Sequence, residues 1–145
     1  MAACRAMGAA GAWCGSVWLT TPESETTPTI KEKMLAATSR GTVRSKARTG
    51  KYSRQLRTAW TDAWEAEGAP SPLPMPFQSV AVEPTMHRVA QLAEGGHEGA
   101  KDLVSYFVGQ GVGLMNESIS TKHVVQGFME DFLVASERLQ EFLSD

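Results

Sequence analysis

Residues 12–19, AWCGSVWL, form an almost unbroken apolar run set among glycines at positions 8, 11 and 15. No other segment constrains the fold as strongly. A strand with one wet face alternates apolar and polar residues, whereas a continuous apolar run needs cover on both faces, as in a parallel sheet. We therefore expect a buried strand from Ala12 to Leu19. Ahead of it, residues 2–7 favour a helix, and Gly8 suits the left-handed position that closes one. A helix tail running into a buried strand is the closing portion of a βαβ unit, yet its first strand is absent from the sequence. Val43 is the only further strand signal, so the fold class is α/β with most of its sheet unaccounted for.

The remaining segments read mainly as helix. Pro22 and a run of Thr and Ser end the strand region, and residues 29–38 form a short helix with Ile30, Met34 and Leu35 on one side. Leu56, Trp60, Ala63 and Trp64 recur at helical spacing, which predicts a helix over 53–67. Residues 69–79 carry four of the seven prolines. They read as a stiff, extended strap laid along a surface, because Leu73, Met75 and Phe77 need cover. Pro84 opens the next expected helix, which runs to about Ala93 and breaks at EGGHEG. A short apolar element follows at 103–107, then a glycine-rich turn, VGQGVGLM. The clearest element spans 121–143, where Val124, Val125, Phe128, Phe132, Ala135, Leu139 and Phe142 trace one helical face behind a Ser120 or Thr121 cap. Three regions result: residues 1–40 around the buried strand, a helical and looped region over 41–118, and the amphipathic helix of 119–145.

Charge is divided unevenly. Residues 1–60 hold ten Lys and Arg against three Asp and Glu, and the remainder holds four against thirteen. The basic half peaks from Arg40 to Arg57, a segment suited either to pairing with the acidic half or to gripping an anionic partner. A small anion-binding interaction module is thus an alternative of a different functional class. With only Tyr52 interleaved among the cations, nucleic acid is a poor fit. No apolar run approaches a membrane span. The start of the chain lacks the leucine-rich centre of a signal peptide. Cys4 and Cys14 read as buried thiols of a reducing compartment, which implies a cytoplasmic protein.

Sites of chemistry are few. His87, His97 and His123 share no metal-ligand spacing and read as surface residues, so no metal site and no catalytic residue is expected among them. The GQGVG stretch reads as a tight packed turn. Gly15-Ser16 stands out, because it lies in the expected parallel strand. Glycine lets an oxyanion approach backbone N–H groups, and the neighbouring serine offers a hydroxyl. A buried serine in a tight strand would look the same.

The ordered set of segments is more specific than any one of them. AMGAAGAWCGSVWLTTPES, KEKMLAA, TVRSKARTGKYSRQLR, PLPMPFQS, YFVGQGVGLM and the closing STKHVV…ERLQEFL together resemble the nitronate monooxygenase family, formerly 2-nitropropane dioxygenases. The resemblance covers essentially the whole chain. It implies the C-terminal part of an FMN-binding (β/α)8 TIM barrel with a mostly helical second region. Such a barrel takes about 250 residues. It also implies oxidation of alkyl nitronates by O2 to a carbonyl compound and nitrite, or, among wider relatives, flavin-dependent reduction of enoyl or acyl thioesters. By the same resemblance Gly15 and Ser16 would contact the flavin phosphate, helped by the backbone around Cys14. The family's glycine-rich turn and catalytic histidine would lie upstream of Met1, leaving this portion inactive alone. Ala10 departs from an aspartate common in the family.

Overall fold

The computed structural model describes residues 1–144, so the Asp145 end of the last predicted helix and the Phe142 side chain lie outside the described residues. The chain forms a mixed arrangement of helices around one two-stranded antiparallel sheet. Helix α1, Ala2–Ala6, closes at Gly8, whose φ of 93° is the left-handed conformation expected there. Helix α2 covers Pro28–Ala36, with Pro28 in its first turn, where a missing N–H costs nothing.

The expected strand over 12–19 does not form. Residues 11–15 belong to no helix or sheet, and Ser16–Thr20 wind into a 3-10 helix. A strand exists only through ladder bonds to a neighbour, and nothing in the described chain pairs with this run. Its glycine and small residues then take the shortest local bonds available, such as Trp18 N–H to the Gly15 carbonyl at 3.3 Å. Cys4 and Cys14 are accordingly half-buried rather than buried.

The sheet lies elsewhere. Strand β1, Thr42–Ser45, contains Val43, and it pairs with β2, Ser53–Leu56, in the register Thr42–Leu56 to Ser45–Ser53. Residues 53–56 thus belong to a strand, and the helix expected from 53 begins only at α3, Ala59–Glu65. Thr58 and Thr61 form a reciprocal cap at that boundary: the Thr61 hydroxyl accepts from the Thr58 N–H at 2.9 Å. Helical spacing of Leu56 and Trp60 was misleading because Leu56 enters the core from the strand.

Helix α4 spans Phe77–Glu94 and passes through Pro84 instead of starting there. Gln78 accounts for the early start. It is almost fully buried, its Oε1 accepts from Leu73 N–H at 2.9 Å, and its Nε2 donates to the Ala47 carbonyl at 2.7 Å. That amide clamps the proline-rich stretch to the hairpin and fixes the first turn of α4. Leu73, Met75 and Phe77 nonetheless remain exposed, so the strap does not cover them.

Helix α5, Glu98–Leu103, packs on α4 and α3. Residues beyond it run alongside β2, bridging Gln55 to Phe107, and GQGVG becomes a 3-10 helix over Gln110–Leu114. Met34, Leu56, Val104 and Val112 sit at the centre of the core. Helix α6, Thr121–Ser144, follows its predicted span, with the Ser120 hydroxyl accepting from His123 N–H at 3.4 Å.

Candidate functional site

Gly15 sits at the N-terminal end of the first 3-10 helix, and Ser16 is that helix's first residue. The Ser16 Oγ accepts a hydrogen bond from the Gly109 N–H at 2.8 Å, joining positions 93 residues apart. Because the oxygen serves as acceptor there, the serine O–H remains a donor for a ligand. A Cβ on Gly15 would meet no atom within 4 Å, so its backbone faces open space.

Both residues line an open cavity of about 600 Å³, shared with Leu19, Ser53, Arg54, Tyr106, Phe107, Val108 and Gly109. Strand β2 supplies Ser53 and Arg54, and the segment after α5 supplies the aromatic wall. Arg54 donates from Nη1 to Thr42 Oγ1 at 2.9 Å. Among the described residues it pairs with no carboxylate, since the ion pairs are Arg48–Glu83, Arg57–Asp62 and Lys101–Glu98. A half-buried guanidinium with spare N–H donors and no counter-ion, beside a free hydroxyl and a glycine, is suited to an oxyanion. Cys14 stands just outside this lining, and its carbonyl accepts from Trp18 Nε1 at 2.6 Å.

Arg54 and Gly109 were not singled out in the sequence. Arg54 was visible only as one charge in a basic run, and Gly109 as one glycine of a turn. That basic run is not a uniform surface. Arg48 is buried, paired at both ends of its fork with Glu83 at 3.0 and 2.7 Å, and donates to the Ser105 carbonyl at 3.2 Å. Arg57 pairs with Asp62. The middle of the segment therefore holds the fold together, which removes part of the charge an anion-binding module would use.

The histidines stay away from the cavity and on the surface, as expected. His87 meets Gln91, His97 accepts from Ala100 N–H at 3.2 Å to cap α5, and His123 meets Ser120. No three metal-binding side chains converge among the described residues, and no described helix is long and apolar enough to cross a membrane. A second cleft of about 370 Å³ holds Lys33, whose ammonium donates to the Val104 carbonyl at 2.9 Å. Burial pushes that group below its usual value, against an opposing pull from Asp102.

The fold and cavity define a mixed α/β chain that presents a glycine–serine bend, an arginine and an aromatic wall on one open cavity. The model of the nitronate monooxygenase family matches residues 1–131, and the chain belongs to that family. A Mycobacterium tuberculosis protein assigned as a monooxygenase is 49% identical over 97% of this chain. A Bacillus subtilis protein assigned as a nitronate monooxygenase is 29% identical over 86% of it. The chain spans about a third of the length of these relatives, 37% and 34%. FabK of Thermotoga maritima superimposes with a TM-score of 0.71 at 29% identity, covering 98% of this chain and 43% of its own. Its M276A variant superimposes with a TM-score of 0.67.

Proposed function

We propose that this chain supplies the cofactor-phosphate bend of an FMN-dependent oxidoreductase that oxidises alkyl nitronates with O2 to a carbonyl compound and nitrite. Family membership supports the class of reaction. One structural observation carries the assignment of residues: Gly15, Ser16 and Arg54 lie on the wall of the same cavity. The donor set fits the flavin's phosphate. Ser16 offers its O–H, Arg54 the N–H donors of a guanidinium that meets no carboxylate among the described residues, and Gly15 leaves room for close approach of an oxygen. Tyr106 and Phe107 form an apolar wall on that open cavity.

Bound there, FMN would accept the electron pair of the substrate and pass it to oxygen. The chain's own contribution is to bind and orient. The Gly109 N–H holds the Ser16 oxygen in place, which leaves its O–H to turn toward a ligand. Arg54 neutralises charge in a half-buried position, where the interaction is screened less than in open water. None of the three histidines lines this cavity, so the proton beside the nitro group is not assigned to them.

A second reading, flavin-dependent reduction of an enoyl or acyl thioester, draws on the likeness to FabK. Assays of the barrel-complete protein separate the two. Nitrite release from propyl nitronate under air supports the first, and nicotinamide-dependent reduction of an enoyl thioester without nitrite release supports the second. The chain by itself is expected neither to retain flavin through gel filtration nor to release nitrite. A bound flavin absorbance band on the purified chain would contradict that expectation.

A further inference from the structure

Tyr106 lines two cavities. One is the open cavity of Gly15 and Ser16; the other, of about 200 Å³, lies among the start of α2, the hairpin turn, α4 and the segment after α5. The lining of this other cavity is mostly apolar, with Ile30, Met86, Ala90 and Val104 contributing. At ~30 Å³ per molecule it has room for about six waters. Arg48 supplies its polar end. The residue is 8% exposed, yet only three of its five N–H groups meet protein acceptors. Nε and Nη2 donate to Glu83 at 3.0 and 2.7 Å, and Nη1 donates to the Ser105 carbonyl at 3.2 Å. The Phe107 ring centre lies 4.9 Å from the guanidinium carbon and occupies one face of the group, so the spare donors are met only in the guanidinium plane. Buried donors are rarely left unmet, and the cavity is the free space beside these.

Charge decides what can meet them. Glu83 already balances Arg48, so a carboxylate entering the cavity would sit beside the Glu83 carboxylate and an ammonium beside the guanidinium. His87, also on the lining, is exposed and turned to Gln91. We infer that this cavity is a binding site for a small uncharged carbonyl or amide compound with a short alkyl body, about four to six non-hydrogen atoms in all. Its oxygen accepts from the spare Arg48 donors, and its alkyl part lies against Met86, Ala90 and Val104. Water alone would meet the donors but leave that apolar lining wet. Neither Gly15, Ser16 nor Arg54 belongs to this cavity, so the site stands or falls apart from the flavin reading.

The test uses the purified chain with methyl-labelled methionine and follows Met86 by NMR during titration with butanone. A saturating shift of Met86 is expected, with a dissociation constant on the order of 1 mM for a ligand of this size. Propionate, which has nearly the same shape but carries a charge, should bind at least about tenfold more weakly. Glu83→Gln removes the competing carboxylate, so it should strengthen propionate at least about tenfold and leave butanone within about twofold. Ala90→Leu, which fills the cavity from α4, should weaken butanone at least about tenfold. Ala81→Leu, exposed on the same helix, should leave it unchanged. Circular dichroism checks that each variant is folded, and the propionate comparison decides the matter should Ala90→Leu not fold. An unmoved Met86, as when water alone fills the cavity, or a shift that does not saturate would overturn the inference. So would propionate binding as tightly as butanone, Glu83→Gln failing to admit propionate, or a folded Ala90→Leu that binds like the parent.

Discussion

Gly50 and Gly68 share a left-handed backbone, φ 78° and 80°, but differ in the space around them. A Cβ at Gly68 would meet nothing within 4 Å. At Gly50 it would run into the Leu73 carbonyl oxygen, Met75 N at 2.8 Å and Pro74 C at 3.0 Å, all backbone of the proline-rich stretch. That stretch cannot easily retreat, because buried Gln78 ties it to Ala47 and to its own Leu73. Gly68→Ala therefore carries only backbone strain of about 1–2 kcal/mol, partly offset by about 0.4–1 kcal/mol of lost freedom in the unfolded chain. Gly50→Ala carries the same balance plus an overlap of about 1–3 kcal/mol typical of overpacking. The two variants should differ by at least about 1 kcal/mol, a large share of the ~5–15 kcal/mol stability of an ordinary domain. Urea unfolding followed by circular dichroism measures both. Equal stabilities within ~0.5 kcal/mol, the usual scatter of surface substitutions, would refute the claim that the hairpin turn is pressed against an immovable strap.

Other outcomes can be checked at single residues. Ser16→Ala removes the acceptor of the Gly109 N–H and a hydroxyl of the cavity wall. With the chain joined to the portion of its relatives that it does not span, the proposed site should hold FMN at least about tenfold less tightly, since hydrogen bonds to charged groups are worth about 1.5–3 kcal/mol. Riboflavin, which lacks the phosphate, should bind as before; comparison by fluorescence quenching tests this. Glu94 accepts from the Thr29 N–H at 3.0 Å, at the start of α2. Burial raises its pKa, but the polar groups of Thr27 and Thr29 that face it, the Thr29 N–H among them, outweigh this and hold it below its ordinary 4.5. A depressed carboxyl stabilises above its unfolded value, so stability should fall as pH drops through and below 4.5. Glu94→Gln should be less stable at neutral pH and lose less on acidification, as measured by thermal unfolding across that range.

Much of the helical structure was legible because helices are held by bonds within one segment. The seven apolar positions of 121–143, the Ser120 cap and the Gly8 terminus each act over one or two turns. Glycine beside serine could be read from the sequence as a place with room and a hydroxyl, and the fold sets both residues on one cavity wall. Residues 53–56 and Gln78 were misread for one shared reason: their conformation is set by groups distant in the chain. Ser53 pairs with Ser45, and the Gln78 amide bonds the Ala47 carbonyl.

By itself, then, the sequence determined where turns of helix repeat, where the backbone must be left-handed, and which small residues leave room beside the backbone. Tertiary structure alone decided that residues 16–20 coil into a 3-10 helix, because a strand has no meaning without a neighbour to share its ladder. It also decided that Arg48 turns inward to Glu83 while Arg54, six residues on, lines the same cavity as Ser16 and meets no carboxylate among the described residues. Equal charges in one basic run were separated by which of them the fold brought within reach of an acid.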